Sequence, residues 1–209
     1  MTLNSYLQQP TMTLDHLVIA APTLELGAAW LTEITGVKPQ MGGKHALMGT
    51  HNLLAKLGSD TYLEIISLDP QAPAPTRARW FELDKLVVAP RLIHWVMSCP
   101  NLDVVQPLEP LGTITNLSRG VYLWRITIPE DGHLPGDGLI PTLIEWQTPN
   151  PSAQLEECGL SLIRLEGQHP EPSRIEANLV ALGLELSVQY AATPSLRAVL
   201  DTPKGIVIL

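Results

Sequence analysis

The sequence predicts an α+β fold assembled from tandem βαβββ modules, and three observations carry that expectation. Two stretches, "DHLVIAAPTL" at 15–24 and "IHWVMSCPNL" at 93–102, share the spacing His, five residues, Pro, one residue, Leu, and begin 78 residues apart. Each is followed by a helical or proline-broken segment and then by short apolar runs separated by turn residues. Repeats of this length are supersecondary units that bury a face against one another.

In order along the chain, residues 1–12 are polar and patternless, a frayed start. The first module spans 13–70. "LDHLVIAA" is an apolar, β-branched strand stopped by Pro22. Leu24, Ala28, Leu31 and Ile34 then fall at helical spacing, with Thr23 as N-cap and Gly36 as C-cap. After the glycine pair Gly42 and Gly43, "HALMGT", "HNLLAKLG" and "TYLEIISL" read as strands, split by Gly49 and by the turn at Gly58, Ser59 and Asp60. A linker at 71–90 follows, introduced by Pro70, Pro73 and Pro75.

The second module, 91–149, opens with the strand "RLIHWVMSC". Pro107 and Pro110 leave room for only a short helix in "NLDVVQPLEPLG". The strands "TITNLS", "VYLWRITI" and "PTLIEWQT" complete the unit. A third, shorter βαβββ-like module covers 150–209, with strand "GLSLIRLE", a helix over "PSRIEANLVALG" and the runs "LSVQYAA", "LRAVLD" and "GIVIL".

Composition narrows the function classes. A net charge of -8 with only 13 Lys and Arg argues against a nucleic-acid partner. Neither a leader pattern nor a run of about 20 apolar residues is seen, so the expectation is a cytoplasmic protein without a membrane partner. Cys99 and Cys158 lack metal-ligand spacing and read as free thiols of a reducing compartment. Phosphate-cradling loops, dinucleotide fingerprints and nucleophile elbows are missing. A small-molecule substrate is the expected partner, met by a monomer or homodimer.

The chemistry-bearing residues fall at similar places in the two modules. His16 precedes Glu64 in "YLEII" by 48 residues, and His94 precedes Glu145 in "LIEWQ" by 51. Taken alone, a strand histidine is more often a core residue with satisfied nitrogens, and a strand acid an edge residue reaching water. Taken together, two histidines and two acids at repeat-related places suggest one shared cation, because an acid among leucines and isoleucines is costly to bury uncompensated. Imidazole and carboxylate ligands suit Zn, Fe, Mn, Co or Ni and leave positions open for substrate. One of the acids can instead move a proton, since a carboxylate beside a metal can exchange ligation for base duty. His45, Thr50, His51 and Asn52 crowd near two glycines that admit close backbone approach, so they are candidate substrate-binding residues; the competing reading is a capped turn. Arg125, charged within an apolar strand, is either an anchor for an anionic substrate group or half of a structural ion pair. Trp95, Trp124 and Trp146 read as core or cleft wall.

This arrangement resembles the vicinal oxygen chelate superfamily, whose paired modules curl a mixed sheet around a cleft holding a divalent metal, with helices outside. Carried over by position, His16, Glu64, His94 and Glu145 fall where glyoxalase I places its metal ligands, with Glu64 and Glu145 as proton-transfer acids. "GGKHALMGTHNLLAKLG", "YLEIISLDP", "RARWFELD", "IHWVMS", "PTLIEW" and "HPEP" are similar to the signature of the glyoxalase-like domain group. The resemblance implies a metal-dependent lyase or isomerase acting on an α-hydroxycarbonyl compound or thiol adduct through a metal-bound enediolate. Extradiol-type dioxygenase chemistry and non-catalytic small-molecule binding are the alternatives.

Overall fold

The computed structural model describes residues 11–85 and 87–209, so the first ten residues of the expected frayed start lie outside the described residues. Strand β1 (Thr13–Ala20) is buried from Asp15 onward on both of its faces. Helix α1 (Leu24–Thr35) follows, with both predicted caps in place. Thr23 accepts a hydrogen bond from the Leu26 amide, and Gly36 turns left-handed at φ 80°. The helix buries Leu24, Gly27, Leu31 and Thr35.

The next strands are β2 (Gln40–His45), β3 (Thr50–Lys56) and β4 (Tyr62–Leu68). Here the structure corrects the strand expected at "HALMGT". The strand lies earlier and contains the glycine pair, while 46–49 form the turn, closed by the Met48 amide on the His45 carbonyl and by Gly49 at φ 59°. Glycines inside a strand mark a close approach rather than a loop in this place. A Cβ on Gly42 would collide with the Asn52 side chain, and one on Gly43 would stand 2.6 Å from Arg119 Cδ.

Strand β5 (Arg91–Ser98) opens the second half, and a single 3-10 turn at Leu102–Val104 stands where α1 stood in the first. Then come β6 (Thr113–Arg119), β7 (Tyr122–Ile128) and β8 (Thr142–Trp146). These eight strands form one mixed, curled sheet in the order β2-β3-β4-β1-β5-β8-β7-β6. At its centre β1 runs antiparallel to β5, with β4 parallel to β1 on one side and β8 parallel to β5 on the other. The register makes the two halves equivalent: His16 faces Val96 and Val18 faces His94, so adding 78 to one member of each pair gives the other's partner.

Because β1 is apolar on both faces, it reads as a continuous hydrophobic run, and each face has its own core. Leu17, Ile19, Leu63, Ile65 and Trp95 belong to the convex side, packed under α1 and the C-terminal unit. Val18, Ala20, Ile66, Val96 and Ile144 line the concave side. The C-terminal unit comprises β9 (Ser161–His169), α2 (Pro172–Ala181), β10 (Ser187–Tyr190), β11 (Ser195–Thr202) and β12 (Gly205–Ile208). It forms a separate four-stranded sheet, β10-β9-β11-β12, whose Ala198 and Leu200 join the convex core with Ile175 and Leu179 of α2.

The connection between the halves does more than join them. Trp80, Phe81 and Leu83 are buried in the concave core, held there by a strap in which Phe81 and Glu82 both adopt positive φ, 57° and 56°. Non-glycine residues in that region store strain of about 1–3 kcal/mol each, so the surroundings must hold them. The Glu82 amide donates to the Gly132 carbonyl at 2.8 Å, and Arg79 pairs with Asp84 at 2.6 Å. Gly132, at φ 72°, lies so close to the Arg79 carbonyl that a side chain there would strike it.

His94 ties the second half together. Its Nδ1–H donates to the Gly138 carbonyl at 3.1 Å, and Nε2 accepts from the Thr142 amide at 3.1 Å and the Thr142 hydroxyl at 3.0 Å. The ring is fully buried, and burial is the main cause pushing its pKa down to about 3.

Gly132→Ala is expected to cost about 1–3 kcal/mol of stability, the range for forced overpacking, and to release the strap. Denaturant unfolding and a red shift of tryptophan emission, reporting a wetter Trp80, would both register it. His94 makes stability pH-dependent. The unfolded chain takes up a proton as pH falls through about 6.5, the native ring only near 3, so stability present above the first value drains away between the two. His45, pushed down to about 3 as well, adds to this slope. Urea midpoints should therefore fall from about pH 7 to about pH 5, and His94→Gln, although less stable throughout, should flatten that decline.

Candidate functional site

The site starts from an irregularity in β1. The β1–β5 register jumps from Leu14 facing Met97 to His16 facing Val96, leaving Asp15 as the extra residue of a β-bulge. Neighbouring side chains of a regular strand point to opposite faces, whereas a bulge re-aims one of them. Asp15 and His16 accordingly meet: His16 Nδ1 donates to Asp15 Oδ1 at 2.7 Å. The second carboxylate oxygen of Asp15 accepts from Trp146 Nε1 at 2.7 Å and Asn150 Nδ2 at 3.3 Å. With three donors the carboxylate tolerates an exposure of only 1%.

His16 lies flat against Tyr62, with ring centroids 4.7 Å apart, and its Nε2 points at Glu64 Oε2, 3.6 Å away. The Tyr62 phenol is held in its protonated form, chiefly by burial and then by the charges of Asp15 and Glu64. Glu64 Oε1 accepts from Asn52 Nδ2 at 2.5 Å. Asn52 is itself fixed by its other end, where Oδ1 accepts from the Gly43 amide at 2.8 Å and from Arg119 Nη1 at 2.9 Å. The glycine pair gives Asn52 and Arg119 the room to meet.

His45 completes the polar wall. Burial first, and the Arg119 charge second, push its pKa down to about 3, so the ring is neutral. Its Nε2 faces two donors, Arg119 Nη1 at 3.3 Å and Asn52 Nδ2 at 3.4 Å, which leaves Nδ1–H to donate to Thr50 Oγ1 at 3.1 Å. Arg119 comes from β6, the far edge of the sheet, and reaches residues of β2 and β3 at the opposite edge, closing the curl. The cleft between them is narrow and partly open to solvent, a cavity of about 20 Å³ with Trp80, Phe81, Trp124, Ile126, Ile144 and Trp146 as its apolar walls.

Of the four expected metal ligands, only His16 and Glu64 meet. His94 has both nitrogens engaged with Gly138 and Thr142. Glu145 lies on the convex side, beside Arg125 in the β7–β8 register, and accepts from the Leu102 amide at 2.8 Å. The register explains why. Val18 faces Glu64 in the first half and Val96 faces Thr142 in the second, so the counterpart of Glu64 is Thr142, also 48 residues beyond its histidine. Glu145 is three positions further, an odd shift that turns a strand side chain to the other face. Among the described residues no group of three or more His, Cys, Asp or Glu is placed to hold a metal ion. The donor set therefore does not fit a four-ligand His and Glu centre, nor the two-histidine, one-carboxylate set of an extradiol site.

The remaining candidates divide. His45 and Asn52 line the cleft, and Thr50 supports His45 from behind. His51 alternates to the other face of β3, where its Nε2 meets Ser67 Oγ at 2.9 Å. Arg125 is a structural partner: it pairs with Asp103 at 2.5 Å and Glu145 at 3.3 Å, and the Asp103 hydrogen bond raises its pKa. Trp124 and Trp146 are cleft wall, and Trp95 is convex core. Sequence reasoning passed over Asp15, Tyr62, Trp80, Phe81 and Arg119. Asp15 carried a signal, an acid inside an apolar strand at the place where the second copy has Ile93; Arg119, beside Gly120, looks like any turn arginine.

Comparison with known proteins adds the family. Residues 14–183 match the family model described as a glyoxalase-like domain. No curated protein matches the chain. A hypothetical protein from Staphylococcus aureus superposes with a TM-score of 0.57 at 12% identity, covering 95% of this chain and 84% of that one, a likeness of fold. Methylmalonyl-CoA epimerase from Mycobacterium tuberculosis is similar at TM-score 0.40 and 18% identity, covering 64% of this chain and 85% of its own. The Streptomyces coelicolor epimerase in complex with 2-nitronate-propionyl-CoA gives 0.41 and 20%, covering 66% and 100%. Through the match over 14–183 and the curled sheet with its cleft, the chain belongs to the glyoxalase-like domain family, the group of the vicinal oxygen chelate superfamily that its sequence resembles.

Proposed function

We propose that the chain is an enzyme that moves a proton at a carbon next to a carbonyl in a small oxygenated substrate, an isomerase or lyase reaction of the glyoxalase kind. One observation supports this above the rest: a buried Asp15–His16 pair whose free nitrogen is turned toward Glu64 inside a cleft walled by aromatic rings. In that arrangement Glu64 takes the proton from carbon, and the electron pair moves onto the carbonyl oxygen. Donors of the cleft, Arg119 among them, stabilise the charge that develops there. His16, oriented by Asp15, exchanges a proton with Glu64 and so allows it to return to the neighbouring atom. Asp15 is a positioning residue, because it acts through His16. Tyr62, held protonated, keeps the ring of His16 flat and screens it from water.

A non-catalytic binding role is the second reading, favoured by the short Asn52 to Glu64 hydrogen bond, which satisfies the acid without a substrate. Exchange of carbon-bound hydrogen for solvent deuterium separates the two. In D2O, proton NMR of α-hydroxyaldehydes, α-hydroxyketones and thiol adducts of 2-oxoaldehydes should show enzyme-dependent loss of the α-proton signal. Binding without exchange across this panel would leave only the second reading.

Glu64→Gln is expected to lower the exchange rate by about 10²–10⁴-fold while ligand binding survives, the usual loss for a proton-transfer group. Asp15→Asn should reduce the rate and shift the acid limb of its pH profile; an unchanged profile would remove Asp15 from its positioning role. Because the cleft brings together His16 and Glu64 without the other two expected ligands, exchange should persist after dialysis against a chelator. Loss of exchange that added divalent ions restore would overturn the side-chain route.

A further inference from the structure

We infer that the Arg119 end of the cleft is a carboxylate-binding subsite, so that the substrate is a short carbonyl compound carrying its own carboxylate, such as a 2-oxo acid; this rests on the proton-transfer reading above. Arg79, Arg125, Arg164 and Arg174 each meet an Asp or Glu; among the described residues Arg77, Arg91, Arg119 and Arg197 have no carboxylate partner, and of these four Arg119 alone lines the cleft. Its neighbours are Asn52 Oδ1, the neutral His45 ring and the face of Tyr122, 5.6 Å from the guanidinium carbon. A guanidinium drawn into an aromatic cleft without an anion is costly unless an anion arrives with the ligand.

A second observation points to the same acceptor. Trp80 is 4% exposed, and its Nε1–H is buried without a hydrogen-bond partner. The ring stands edge-on to His45 at 5.0 Å, beside the group that Arg119 contacts, and both Trp80 and Arg119 line the cavity. Orphaned buried donors are rare, and an indole N–H on a residue that lines the same cavity as the guanidinium suits an oxyanion ligand. The two ends of the cleft are oppositely charged. Asn52 stands between them, with its amide nitrogen on Glu64 and its oxygen on Arg119. A carboxylate at Arg119 therefore places the adjoining carbonyl and its α-carbon toward Glu64 and His16, within the length of one side chain. Proton removal then transfers hydrogen from C3 of the 2-oxo acid to a Glu64 oxygen and leaves the electron pair on the C2 oxygen, with no co-reactant.

Tryptophan emission reports occupancy directly, since Trp80, Trp124 and Trp146 line the cleft. The test titrates the full chain with 2-oxobutyrate and with its uncharged amide, in low and in high sodium chloride. The carboxylate should bind at least about tenfold tighter than the amide, and salt should weaken only the carboxylate. Arg119→Gln should equalise the two ligands, and Arg119→Lys should keep part of the preference. If Arg119→Gln fails to fold by circular dichroism, the Arg119→Lys variant and the charged-against-neutral comparison on the native chain decide. Equal affinities on the native chain, a preference that survives Arg119→Gln, or no response to either ligand would each overturn the subsite. Carboxylate binding without deuterium exchange at C3 would instead overturn the proton-transfer reading and leave the subsite standing, and exchange of uncharged ketones as fast as of the acid would do the opposite.

Discussion

The antiparallel pairing of β1 with β5 is the constraint on which the cleft depends. It sets His16 against Val96 and Val18 against His94, and each strand carries its extra residue at the matching place, Asp15 in one and Ile93 in the other. A bulge strengthens local twist and turns one side chain out of alternation. Here that turn delivers a carboxylate onto the imidazole beside it. Without it, Asp15 would point to the convex core, where no donors wait.

The same constraint explains why the two halves, built alike, differ in chemistry. The first places Asp15, His16 and Glu64 in a row; the second places Ile93, His94 and Thr142 at the equivalent positions. In the second row every polar atom of the histidine is satisfied within the chain, so the ring braces β5 against the loop before β8. In the first row the histidine keeps one nitrogen directed into the cavity. The two halves thus hold one polar row facing the cavity and one structural brace, distinguished by a single acid at the bulge and by carboxylate against hydroxyl three strands' width apart in the sheet order.

Closure of the curl is a separate matter of close approach. Arg119, Asn52 and the glycine pair form a latch between sheet edges that are remote in sequence and in strand order. The strap bearing Trp80 and Phe81 walls the cavity, and its positive-φ residues Phe81 and Glu82 are tied down by the Glu82 amide on the Gly132 carbonyl. Such strain persists only where the surroundings over-determine it, and it concentrates at functional sites.

Much of the fold was legible in the sequence because its signals are local. Strand and helix periodicity, the caps Thr23 and Gly36, and the prolines that shorten the helix of the second half each act within a few residues. The repeated His-to-Pro spacing exposed the duplication itself. The site was legible only in part: His16, Glu64, His45 and Asn52 were named from sequence, and the structure brings them into one cavity. The tertiary structure decided the rest. Glu145 was matched to Glu64 at a spacing three residues too long, and with a side-chain period of two only strand register could reveal that it faces away. Asp15 needed the bulge, Trp80 the strap, and Arg119 the curl of eight strands. Each is a relation between residues far apart in the chain, or a break in local alternation, and periodicity within one segment carries no record of either.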